Sequence, residues 1–161
     1  MMHLRDLWVA RRGAATVEFA LASLMMFGVV MVGLDFGVYA QQKLRLGSAV
    51  EQAAVLAYNT QVTSNTAGLV TLVQTAAKTS SKPTVAVTCN GTSTCGDGKC
   101  SCLTGSSGFT IAATCNTACA NGSISGNYLK IVASLTYTSI VVPDKYLGGT
   151  TMTQSAVVRL Q

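Results

Sequence analysis

Residues 11–54 read RRGAATVEFALASLMMFGVVMVGLDFGVYAQQKLRLGSAVEQAA, and their reading decides the fold. From Phe19 to Leu34 there is no charge. As a helix this stretch is about 24 Å long, and about 31 Å if it starts at Ala14, which matches the hydrocarbon thickness of a bilayer. Arg5, Arg11 and Arg12 lie only on its amino-terminal side. The positive-inside rule then places the amino terminus in the cytoplasm and everything after Asp35 outside, with Asp35 itself read as an interfacial residue. A signal peptide cut after Ala40 is the competing reading, but the apolar run is at the long end for one and Asp35-Phe36 makes an awkward cleavage region.

Composition narrows the functional classes. The 161 residues are 49% hydrophobic, 11% charged and 6% aromatic, with a formal charge of +5 from 11 basic and six acidic residues. Disorder requires the opposite balance. Three of the basic residues fall in the first twelve positions, so no basic face for nucleic acid is indicated. The single histidine, His3, lies outside any folded domain, and Glu51, Asp97 and Asp144 have no spacing that assembles a catalytic pair. The expectation is no enzyme, no cofactor, no small-molecule substrate and no nucleic acid.

Glu18 is the one charge inside the apolar segment, where a carboxylate costs a few kcal/mol unless it is paired or reaches the interface. Pairing with Arg11 or Arg12 would satisfy it. Its offset from Gly13 suggests more. Arg12-Gly13-Ala14-Ala15-Thr16-Val17-Glu18-Phe19 resembles the processing site of type IV pilin precursors, and the whole stretch from about residue 11 to 57 resembles the TadE-like family, minor pseudopilins of the tight-adherence (Flp-type) pilus. The resemblance implies a prepilin peptidase cutting between Gly13 and Ala14, where glycine permits close backbone approach. It also implies that Glu18, one turn on, neutralises the new amino group of Ala14 or that of a neighbouring subunit. Alanine at position 14, rather than phenylalanine, favours the Tad branch. The implied partners are the prepilin peptidase, other pilins and pseudopilins, and the inner-membrane pilus assembly platform. The implied location is the bacterial inner membrane as a single N-in, C-out span, then the periplasm or a surface pilus.

The helical period continues past Asp35, with Leu46, Ala49, Val50, Ala53 and Ala57 on one stripe and Gln42, Lys43, Arg45 and Glu51 elsewhere, so one helix over residues 14–57 is expected. Gly33 and Gly37 are spaced for close approach of another helix, either in a filament or in the protein's own domain; for the three alanines, packing within the domain is the simpler reading. Residues 66–78 predict a second helix, capped by Asn65 or Thr66 and ended by Ser80, Ser81 and Pro83. Beyond it the period becomes two. Val85 and Val87, then Phe109, Ile111 and Ala113, then Leu129 to Tyr137, then Ala156, Val158 and Leu160 predict four half-buried strands, with turns at Gly122, Gly126-Asn127 and Gly148-Gly149.

Cys89, Cys95, Cys100, Cys102, Cys115 and Cys119 all fall in residues 89–119, without a CxxC pair or a nearby histidine. In an outside compartment this reads as three disulfides and no metal, with 15 possible connectivities left open. A bridge from Cys89 to Cys119 would contribute about 3–4 kcal/mol on the chain-entropy model. The expected protein is α+β and pilin-like: a basic leader over 1–13, a long helix over 14–57, and a periplasmic or extracellular domain over 58–161 with a small antiparallel sheet. A membrane-anchored or secreted cysteine-rich binding module is the alternative.

Overall fold

The computed structural model describes residues 4–61, 66–92, 95, 99–105, 108–112, 114–147 and 149–160; for residues 4–12 only the backbone is described. One continuous helix, α1, covers Leu4–Thr60, and α2 covers Ala67–Ala76. Five strands follow: β1 Thr84–Cys89, β2 Cys100–Thr104, β3 Gly108–Ala112, β4 Tyr128–Thr136 and β5 Thr151–Arg159. A long amino-terminal apolar helix on an antiparallel sheet, with three disulfides, makes the chain α+β.

The main sheet has three antiparallel strands in the order β1-β4-β5. In β4 the period of two sends Leu129, Ile131, Ala133 and Leu135 inward, and all four are buried. They meet Leu46, Ala49, Val50, Ala53 and Ala57 of α1 with Leu69 and Val73 of α2 in one core. Helix and sheet can approach closely because the α1 stripe is mostly alanine, and Ala53 and Ala57 are wholly inaccessible.

Several expectations need correction. The strand containing Phe109 and Ile111 does not join the main sheet. It pairs with β2 as a separate two-stranded unit, and Ile111 is exposed. The strand β2 was not foreseen, because its sequence, CSCLT, faces inward with cysteines rather than with large apolar side chains. Gln42 is not off the buried stripe but on it, with its amide donating to Ser80 Oγ at 3.1 Å. The second helix stops earlier than Ser80: Ala77 caps it and Lys78 takes a positive φ, with Arg45 donating to its carbonyl at 3.1 Å. Thr66 is the N-cap residue, yet its side chain makes no capping bond. Asn65, Ala113 and Gly148 lie outside the described residues.

Candidate functional site

The two halves of α1 have opposite surroundings. The most apolar 18-residue window of Gly13–Thr60 has mean hydropathy 2.1, and none of it is buried against the rest of the protein. Among the described residues this is the one helix long and apolar enough to cross a membrane.

Gly13, Ala14, Glu18 and Phe19 all sit on that free half, exposed and helical. Ala14 and Glu18 are one turn apart, so a carboxylate at 18 lies on the face of the residue that a cut after Gly13 would make the first. In the chain itself the backbone at Gly13 is helical. The helix runs through the Gly13–Ala14 bond, and the Thr16 hydroxyl donates to the Gly13 carbonyl at 2.8 Å. Reaching that bond requires unwinding about one turn, which glycine makes cheaper by roughly 1 kcal/mol than alanine would. Pairing of Glu18 with Arg11 or Arg12 lies outside the described side chains. A Cβ added at Gly33 or Gly37 would meet nothing within 4 Å, so neither glycine packs in its own domain. Ala49, Ala53 and Ala57, in contrast, are spent on the core.

The change between the halves falls at Asp35, which is 2% exposed. Four donors converge on its carboxylate: Tyr137 Oη at 2.6 Å to Oδ1, and the backbone amides of Ile140, Val141 and Val142 at 3.0, 2.8 and 2.9 Å to Oδ2. The Tyr137 hydroxyl bond and then the amides hold the carboxyl well below the usual carboxylate range, against the opposing effect of burial. The same bond, with burial and the neighbouring charge, pushes Tyr137 up to about 12. Tyr39, one turn beyond Asp35, packs edge-on against the Tyr137 ring at 5.5 Å. Asp35 therefore ties the exit of the helix to the chain just after β4. It is not merely interfacial. The signal for this was its position on the buried face, seven residues before Gln42 and 11 before Leu46, but its partners are more than a hundred residues away.

The cysteines lie at the other end of the sheet. They pair as Cys89–Cys95, Cys100–Cys115 and Cys102–Cys119, so no bridge spans Cys89 to Cys119. The last two fasten β2 to the segment after β3, enclosing separations of 15 and 17 residues. Buried Asn90, in a positive-φ conformation, fastens the first to the sheet. Its amide donates to the Lys99 carbonyl and to Asn127, and its carbonyl accepts from Tyr128 N. Its side-chain hydrogen-bonding capacity is fully used. Asp97 lies outside the described residues.

An apolar amino-terminal helix that leaves its own domain unpartnered, carrying an α+β domain stapled by disulfides, suggests a membrane-anchored protein. Residues 13–55 match the family model described as TadE-like protein, the family that the sequence resembles. The match begins at Gly13 and takes in Glu18, Asp35 and most of the buried stripe, stopping before α2. No curated protein and no solved structure matches the chain. A TadE-like segment suggests a Tad pilus-related protein, associated with the membrane and with other pilus components.

Proposed function

We propose that this protein is a minor pseudopilin of a tight-adherence pilus, made as a membrane precursor, cut by a prepilin peptidase after Gly13, and used in pilus assembly, initiation or tip formation. The observation that carries the proposal is that two features fall on the same stretch of helix. The TadE-like match begins at Gly13, and the α1 half that follows has no packing partner in its own domain. A helix of that kind needs lipid before assembly and other apolar helices after it. In the precursor the arginines hold the amino terminus on the cytoplasmic side, and the domain lies in the periplasm.

Cleavage removes three of the 11 basic residues and one of the six acidic ones, lowering the charge from +5 to +3. Glu18 then neutralises the Ala14 ammonium or that of the next subunit, and Gly33 and Gly37 offer the open surface for a neighbouring helix. The pilins, pseudopilins and inner-membrane platform are the partners, and the peptidase is the processing enzyme.

Release by a signal peptidase after Ala40 fits the fold poorly. It would discard Asp35 and Tyr39, both of which hold the domain to the helix. Glu18→Ala provides the test of role. It is expected to leave processing and ectodomain stability intact while lowering surface piliation about tenfold or more, since an unpaired ammonium in apolar surroundings costs several kcal/mol. Piliation equal to wild type would remove Glu18 from assembly.

A further inference from the structure

The chain between β4 and β5 sorts its apolar side chains in a way the domain core does not explain. Val142 and Leu147 turn inward and are 5% exposed. Ile140, two residues before Val142, is 86% exposed, and Val141 is half exposed. Backbone amides from all three consecutive residues, 140 to 142, are bound to Asp35, so this outward presentation is held by four converging donors and is not a loose loop tip. Ser139 Oγ, donating to Asp144 Oδ1 at 3.0 Å, closes the turn from the other side.

Scattered exposed apolar residues need no explanation. These are not scattered. Ile140 and Val141 line one small cleft with Met31, Leu34 and Val38 of α1. Met31 lies about 6 Å along the axis from Asp35, back toward the uncharged segment. The outward side chains therefore continue the apolar surface of the helix at the level where that segment ends. Beside them the short 3-10 turn Asp144–Tyr146 presents Tyr146, 65% exposed, with Lys145 Nζ 4.9 Å from its ring centroid. An aliphatic pair flanked by an exposed tyrosine and a lysine is the composition of a surface that sits at the headgroup and acyl boundary.

We infer that the Ile140–Val141 turn is a second membrane contact, a foot of the external domain seated in the outer face of the bilayer and aimed there by Asp35. This rests on α1 being the membrane anchor. The occupant is lipid, because the patch is continuous with the anchor's own apolar surface and lies at the end of the sheet opposite the cysteines. Two contacts, one spanning and one superficial, fix the tilt of the domain on the membrane, which a single helix leaves free.

The test uses the full chain, one copy per lipid nanodisc, with the native Trp8 replaced by phenylalanine and a single tryptophan placed at Ile140, at Phe27 or at Ile111. These side chains are well exposed, so the fold is not perturbed. With lipid brominated near the carbonyl end of its acyl chains, Ile140→Trp is expected to lose about half of its emission or more, in keeping with burial of roughly 5–10 Å. Phe27→Trp is expected to be quenched most by mid-chain bromine, and Ile111→Trp not at all. Quenching at Phe27 without quenching at Ile140 overturns the foot and leaves the anchor standing. Quenching at neither means α1 is no anchor, and the foot falls with it. An Ile140→Trp signal that responds only when a disc holds two copies assigns the patch to a subunit contact and also overturns the inference. Val141→Trp repeats the reading at the adjacent side chain.

Discussion

The two halves of α1 are one helix with two solvents. Between Gly13 and Asp35 nearly every large apolar side chain is exposed, Phe19, Leu24 and Met25 among them. After it a stripe of smaller residues is buried, while polar side chains and a few apolar ones, Leu44 and Val55 among them, stay exposed. Hydrophobicity alone does not place a residue in a core: among the described residues the more apolar half contributes none to the domain's core. What makes the second half a core element is the narrowness of its stripe, which lets β4 and β5 lie close to the helix.

The sharpest way to break that contrast is to make the same deletion in both halves. Leu46→Ala, in the core, should cost the α+β domain about 2–5 kcal/mol, read by thermal unfolding of the full chain in detergent. Leu24→Ala should change it by less than about 0.5 kcal/mol. Comparable losses at the two sites would mean that the amino-terminal half packs on the domain after all.

A second contrast lies along the sheet. Nine residues of β4, about 27–30 Å, separate the Asp35 clamp from the cysteine end. One end is fixed by a buried carboxylate and the other by covalent bonds, in a region of glycine, serine, threonine and asparagine that offers little to bury. Replacing Cys102 and Cys119 together by serine should lower stability by about 3 kcal/mol on the chain-entropy model, with amide exchange rising in β2 and β3 first. Uniform acceleration across α1 and β4 would show that the two ends are not independent.

The clamp gives the smallest effect and the most specific signature. The Asp35 carboxyl is held below its ordinary value, so its contribution is complete above about pH 4 and is lost as the pH falls further. The Tyr137 hydroxyl is raised, so its contribution is complete below about pH 10 and is lost as the pH rises through about 12. Stability should be flat between these limits. Asp35→Asn should lower Tm by about 5–10 °C at neutral pH and flatten the acid limb. An unchanged acid limb would place the titrating group elsewhere.

Much of this was legible in the residues themselves. The uncharged run, the Leu46–Ala57 stripe and the alternation of β4 and β5 are local periodicities, and local periodicity is what a sequence displays. The pairing of Cys100 with Cys115 and of Cys102 with Cys119 depends on β2, whose inward side chains are cysteines and serine, so no hydrophobic alternation announced it. Asp35 was visible as a lone carboxylate at the end of a span. Its role depends on amides of residues 140–142, and backbone donors leave no trace in side-chain identity. Gly13 and Glu18 stood out for the opposite reason, since a glycine and a carboxylate are conspicuous against an apolar helix.

The central claim is that the exposed half of α1 is delivered to a pilus after cleavage between Gly13 and Ala14. It is tested most directly by the amino-terminal sequence of the mature protein isolated from cells that carry the prepilin peptidase, with Gly13→Asp alongside. Ala14 as the first residue, with processing blocked in the Gly13→Asp variant, is the predicted result. A mature chain starting at Met1 or Gln41, or normal processing of the variant, would contradict it.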